Sequence, residues 1–323
     1  MVSVNMAEAI NMALHEAMKL DEKVIVLGQD VAVNGGVFRI TEGLLEKFGS
    51  KRVIDTPLAE SGILGASIGM ALAGLKPIAE IQFSDFMYVG FHQLQYHASK
   101  IRNRSRGRFT APLVVRTPIG GGIKALEHHS ESMEAFYLNI PGLKVVMPST
   151  PYDAKGLLHA AVKSKDPVIF FEPKKLYRIF KQEIPAEPYT IEIGKANVVK
   201  EGKDITLITW GNMLRECQSV ADSLKEISME IIDLRSLQPW DFETVAKSVK
   251  KTKRAVIVQE APRNCSLASE ISATLTEKLM LELDAPILRV AGFDIPYPYS
   301  AHEHLYLPNF ERISEAVRDT ISF

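Results

Sequence analysis

Short runs of aliphatic, β-branched and aromatic residues recur along the first half of the chain, each closed by turn residues. They are KVIVLGQD at 23–30, KPIAEIQF at 76–83, APLVVRTP at 111–118, LKVVMPST at 143–150 and PVIFFEP at 167–173. Within each run the apolar positions are largely contiguous rather than alternating, which predicts strands covered on both faces. The intervening segments 62–75, 90–104 and 151–164 read as helices, and strand alternating with helix predicts a parallel sheet wrapped by helices. The opening stretch MVSVNMAEAINMALHEAMKL predicts an amphipathic helix, with Asn5 and Glu8 at the spacing of a capping box.

After PVIFFEP the pattern gives way to KKLYRIFKQEIPAEPY, charged and carrying Pro185 and Pro188, which predicts a connection between domains. The boundary is placed near 188, giving domains 1–188 and 189–323. Beyond it DITLITWG, MEIIDLRSLQPWD, KRAVIVQEAP and APILRVAGFD read as strands, and 212–227, 264–283 and 309–321 as helices. A second, smaller α/β domain is therefore expected, in keeping with 323 residues being long for one hydrophobic core.

Composition narrows the function classes. A formal net charge of -1 gives no overall field drawing the protein to nucleic acid or anionic lipid. The longest uncharged apolar run lies between Glu60 and Lys76, short of the roughly 20 residues a membrane span needs, so no membrane association is expected. Acids interrupt the N-terminal stretch where a secretory signal would be apolar. Cys217 and Cys265 stand 48 positions apart and form neither a CxxC motif nor a disulfide framework, which points to a reducing, cytoplasmic setting.

Chemistry enters at DTPLAESGILGASIGMALAG, residues 55–74. Gly62, Gly65, Gly69 and Ala73 share one helical face, either for close packing or for approach of a cofactor or partner. Glu60 opens this run. It is either a first-turn acid favoured by the helix dipole, with Thr56 and Pro57 as cap and first residue, or a buried carboxylate needing a partner from elsewhere. No basic residue lies between Arg52 and Lys76 to serve it, so a ligand nitrogen is one candidate partner. In RTPIGGGIKALEHHSES, 116–132, the three glycines either cradle a phosphate or allow a turn. No GxGxxG or Walker pattern is present, and His128 and His129 lack HExxH spacing. KIRNRSRGR carries five positive charges with little aromatic support, which favours a solvated loop or subunit contact over RNA binding. HEHLYLP, with His302 and His304, reads as a surface turn without chemistry.

Taken together, DTPLAESGI, EIQFSDF, RTPIGGG, HHSES, PGLKVVMPSTPYDAKGLL, FFEPKKLYR and DLRSLQPWD resemble the β subunits of thiamine diphosphate-dependent 2-oxo acid dehydrogenases, the E1 components of multienzyme complexes. The resemblance runs over residues 3–323. It implies a transketolase-type pyrimidine-binding domain followed by a transketolase-type C-terminal domain, assembled with an E1 α subunit as α2β2 and serving a lipoyl-bearing E2 acyltransferase. No GDG followed by an Asn-rich stretch is present, so magnesium and the diphosphate are assigned to the α partner. By the resemblance, Glu60 bonds N1′ of the aminopyrimidine and favours the tautomer that deprotonates the thiazolium, Phe86 stacks on the pyrimidine, and Leu58 and Gln82 line its pocket. His129 would stand where the 2-oxo acid and lipoyl arm enter. A potassium ion would rest on the carbonyls of Leu113, Ala161, Ser164 and Asp166, with Ser164 departing from the family's usual aspartate. GGVFR and FFEPKKLYR look like the branched-chain enzymes, whereas ESGI and STPYDAKGLL are also common in bacterial pyruvate enzymes; the expected substrate is a branched-chain 2-oxo acid, with pyruvate the alternative. A noncatalytic scaffold subunit is the reading from a different class.

Overall fold

The computed structural model describes residues 1–323. It divides into two compact units, Met1–Ile119 with Phe136–Ile193, and Gly120–Ala135 with Gly194–Phe323. The first unit holds β1 (Val2–Val4), α1 (Met6–Leu20), β2 (Val24–Gly28), α2 (Leu44–Phe48), β3 (Val53–Asp55), α3 (Glu60–Leu72), β4 (Lys76–Glu80), α4 (Met87–His92), α5 (Ile101–Arg104) and β5 (Val114–Ile119). Past α6 (Glu134–Leu138) follow β6 (Lys144–Val146), α7 (Pro151–Lys163), β7 (Val168–Pro173) and β8 (Gln182–Ile184). Six strands pair in parallel in the order β6-β7-β5-β4-β2-β3. Every residue of β2, β5 and β7 is buried, which is why their apolar residues do not alternate with exposed polar ones; Arg116, Thr117 and Glu172 are polar but buried too.

α1 and α7 close one side of this sheet. Met6, Ile10, Leu14 and Met18 join Leu157, Leu158 and Ala161 in one core cluster. The capping box at the start of α1 is formed, with Glu8 N donating to Asn5 Oδ1 at 3.0 Å and Asn5 N donating to Glu8 Oε2 at 2.8 Å. Replacing the cap, Asn5→Ala, is expected to cost about 1 kcal/mol, read as a lower denaturant midpoint at unchanged slope. Two features depart from the sequence reading. The stretch 174–189 is ordered against the domain, with Leu176, Tyr177 and Ile184 buried and β8 pairing antiparallel with β1. The helix read over 90–104 is α4 and α5 joined by a π turn at Gln93–His97 and a 3-10 turn at Ala98–Lys100.

The second unit contains β9 (Asn197–Lys200), β10 (Ile205–Thr209), α8 (Met213–Ser223), β11 (Met229–Asp233), β12 (Ser236–Gln238), α9 (Phe242–Thr252) and β13 (Ala255–Pro262). It ends with α10 (Leu267–Leu279), β14 (Leu288–Gly292), α11 (Glu303–Tyr306) and α12 (Phe310–Ser322). Its sheet runs β14-β13-β10-β11-β9, with β9 antiparallel to β11 and the other pairs parallel. Cys217 and Val220 of α8 pack with Ile313 and Val317 of α12. Burial pushes the Cys217 thiol up to about 12, so it behaves as a small apolar side chain. α9 is absent from the sequence expectation; Asp241 starts it by accepting from Thr244 N at 3.2 Å. No helix is long and apolar enough to cross a membrane.

Candidate active site

The carboxyl ends of β3, β2 and β4, three consecutive strands of the first sheet, bring together residues 56–60, Asp30 and 81–86. This is the edge of a parallel sheet where loops bind ligands. The helix after β3 starts at Glu60, with Ala59 as an N-cap that makes no side-chain bond. Thr56 and Pro57 therefore lie in the extended approach, and Thr56 N is held by Gly28 O at 3.0 Å. Glu60 is only 9% exposed and makes no hydrogen bond or ion pair within the chain. The helix dipole of α3 favours its charge, and little of the rest of the side chain meets solvent. A buried acid at the mouth of a sheet, without a partner, fits a group that must meet a ligand nitrogen.

Gly90 explains how the acid is covered. A Cβ there would stand 2.4 Å from Leu64 Cδ1 and 3.4 Å from Glu60 O, so the absence of a side chain lets α4 lie on the first turn of α3. Gln93 Nε2 adds a bond to Ser61 Oγ at 3.2 Å. On the other flank, Gln82 Nε2 donates to Asp30 Oδ2 at 3.0 Å. Phe86 is half-buried, set edge-on to Phe83 with ring centres 5.7 Å apart. Leu58 is 70% exposed.

Beneath this edge lies a buried ionic group that the sequence reading did not find. Arg116 of β5 meets Glu172 of β7 through Nε and Nη2 at 2.8 and 2.7 Å, and its Nη1 donates to Glu80 of β4. Tyr177 Oη donates to Glu172 Oε2 at 2.6 Å. Burial pushes the Glu80 carboxyl up, against the pull of the guanidinium. For Arg116, burial opposes the charge, yet Glu172 and Glu80 more than offset it and hold its proton tighter than usual.

Of the oxygens proposed for potassium, all in the first unit, those of Leu113, Ala161 and Asp166 already accept protein hydrogen bonds. Val168 N donates to Leu113 O at 2.9 Å, Ser164 N to Ala161 O at 3.0 Å, and Ser164 Oγ to Asp166 O at 2.8 Å. Lys144 Nζ lies 3.2 Å from Ser164 Oγ, and the Asp166 carboxylate is held by Arg102 at 2.7 and 3.0 Å. Each carbonyl keeps a second lone pair, the kind of hard oxygen an alkali cation takes, while the Lys144 ammonium beside Ser164 works against one.

His129 lies in the second unit, on a 3-10 turn at Glu127–His129, half-buried, its ring 4.5 Å from the more exposed His128. The preceding glycines do not present their amides to solvent as a phosphate cradle would. Gly121 N donates to Glu260, and Gly122 N and Lys124 N donate to Glu303 Oε1 at 2.9 and 3.3 Å. The HEHLYLP stretch is thus not an inert surface turn, since its Glu303 is 6% exposed and grips the loop. No local pattern announces this, because the partners are 181 and 179 positions apart.

Comparisons with known proteins agree with the architecture. Residues 2–179 match the transketolase pyrimidine-binding domain and residues 194–313 the transketolase C-terminal domain. A split-gene transketolase, described as an inactive β4 tetramer, superposes with a TM-score of 0.81 at 21% identity, covering 99% of this chain and 98% of its own, which establishes the fold alone. The class is therefore a two-domain α/β protein of transketolase type. The pyruvate dehydrogenase E1 component subunit beta of Acholeplasma laidlawii is 51% identical over 98% of each chain, and that of Bacillus subtilis strain 168 is 47% identical over the full length of both. The chain belongs to the family of β subunits of the 2-oxo acid dehydrogenase E1 component.

Proposed function

We propose that this chain is the β half of a thiamine diphosphate-dependent E1 that decarboxylates pyruvate and passes the acyl group to a lipoyl-bearing E2. An E1 α subunit would complete the assembly as α2β2 and hold magnesium and the diphosphate. Residues 1–188 would act as the pyrimidine-binding domain and 189–323 as the C-terminal domain. The observation that carries the reading is Glu60, buried without a partner at the carboxyl edge of the sheet. The curated relatives at 47–51% identity are named for pyruvate, which favours pyruvate over the branched-chain substrate suggested by GGVFR and FFEPKKLYR.

When bound, thiamine diphosphate supplies the electron sink for decarboxylation. Glu60 would hold a proton at N1′ of the pyrimidine, Phe86 would pack on its ring, and Leu58 and Gln82 would border it. His129 would position a proton as the acyl group leaves for the lipoyl arm. Potassium would sit on the carbonyls of Leu113, Ala161, Ser164 and Asp166 and brace the turn after α7.

The test is co-expression with an E1 α chain and a panel of pyruvate, 4-methyl-2-oxopentanoate and 2-oxoglutarate. Extra methylenes change pocket affinity by about 1–3 kcal/mol, so kcat/KM should favour pyruvate by about tenfold or more. Preference for 4-methyl-2-oxopentanoate would overturn the substrate assignment, and no turnover of any of the three would overturn the function.

A further inference from the structure

The segment 120–132 is gripped at both ends by two buried carboxylates, all within the second unit. Glu260 accepts from Gly121 N, from Asn212 Nδ2 at 2.6 Å and from Ser132 Oγ at 3.2 Å. Glu303 accepts from Gly122 N at 2.9 Å, from Lys124 N and from Tyr297 Oη at 2.7 Å. Gly120 N closes the segment on itself through Glu131 O at 3.2 Å. His129 stands between the gripped ends.

The glycines are required by this grip. Gly120 and Gly122 take left-handed φ of +81° and +84°. A Cβ on Gly121 would fall 1.7 Å from Tyr297 Oη, and one on Gly120 would fall 2.6 Å from Glu260 Oε1. Burial and the Glu303 carboxylate keep the Tyr297 phenol protonated, so it serves as donor. Charge-assisted bonds to carboxylates are stronger than neutral ones. Such an arrangement fixes a loop more firmly than its own turns would.

We propose that Glu260 and Glu303 are positioning residues, a carboxylate clasp that fixes the glycine loop and with it His129 for acyl transfer to the lipoyl group. The proposal rests on the role given to His129 above. An amide in place of either carboxylate keeps the size but loses one acceptor oxygen and turns N–H groups toward existing donors. The loop would then shift, and displacement of a reacting group by about 1 Å costs on the order of 10²-fold.

The experiment uses the full α2β2 assembly with pyruvate and measures two half-reactions, decarboxylation read with an artificial electron acceptor and acylation of an isolated lipoyl domain. In Glu303→Gln and Glu260→Gln the ratio of acylation to decarboxylation should fall about 10- to 100-fold. Hydrogen exchange at Gly121, Gly122 and Lys124 should accelerate, and Glu303→Asp, which keeps the charge, should recover part of the loss. An unchanged ratio while His129→Ala is defective in acylation overturns the clasp and leaves the role of His129 standing. Full acylation by His129→Ala overturns that role, and the positioning function with it. Equal loss of both half-reactions in the amide variants marks a general folding role and also overturns the proposal.

Discussion

Glu60→Ala should abolish decarboxylation by the assembled E1, with a loss of at least ~10²- to 10⁴-fold, while leaving the stability of the chain nearly unchanged. The two halves of this expectation have one cause. Glu60 is 9% exposed and makes no bond within the chain, so folding gains no contact from its carboxylate. Its position at the first residue of α3 contributes about 0.3–1 kcal/mol through the helix dipole, which an alanine forfeits. With only that small term at stake, thermal unfolding of the variant should lie close to that of the parent. Turnover with pyruvate and an artificial acceptor reads the first half, and calorimetry of the same preparation reads the second. Near-normal turnover in a properly assembled variant would remove Glu60 from the chemistry. A large fall in stability would show that the acid serves the fold.

The parts of this molecule visible in its sequence are those governed by neighbours along the chain. Contiguous apolar runs at VIVLG and VIFFEP announce strands buried on both faces, and Asn5 with Glu8 announces the start of α1, because each depends on residues within one element. Glu60 is visible for a related reason: no basic residue from 53 to 75 is there to neutralise it. Weaker local signals mislead. Thr56 and Pro57 look like a helix start, but Thr56 continues the strand edge and the helix waits until Glu60. α9, FETVAKSVKKT, is short and charged, so its apolar face of Val245, Ala246 and Val249 is easily passed over. Glu260 and Glu303 lie 139 to 181 positions from the amides they hold, and only the folded chain brings such acids to the glycine loop. The same holds for Arg116, whose partners are 36 and 56 positions away on two neighbouring strands.

Removal of Arg116 is expected to be among the most damaging single changes in the first unit. The guanidinium is 1% exposed and is gripped from both sides by Glu80 and Glu172, at 4% and 0% exposure. Arg116→Met keeps much of the side-chain length but leaves two buried carboxylates without a counter-ion, and breaking such a pair from one side costs about 3–5 kcal/mol. The pH dependence supplies a sharper signature. Burial already raises the Glu80 carboxyl against the pull of the cation, and without that pull Glu80 is easier still to protonate in the folded chain, so the folded state binds more protons than the unfolded one. Stability of the variant should therefore fall as pH rises through the raised carboxyl range and recover toward mild acid, the reverse of the usual carboxylate pattern. Urea unfolding of parent and variant at several pH values measures this, and a deficit independent of pH would mean that lost packing, rather than uncompensated charge, is responsible. A triple change, Arg116→Met with Glu80→Gln and Glu172→Gln, should restore a substantial part of the loss because no buried charge remains. Activity should not return with it. Arg116 O accepts from Ile81 N at 3.1 Å, and the guanidinium ties Glu80 at the end of β4, so the ion cluster sets the path of the chain into Gln82 and Phe86. Neutral side chains can refill that space without reproducing the direction of its bonds, which is how a cluster of doubtful net value for stability comes to matter for the site above it.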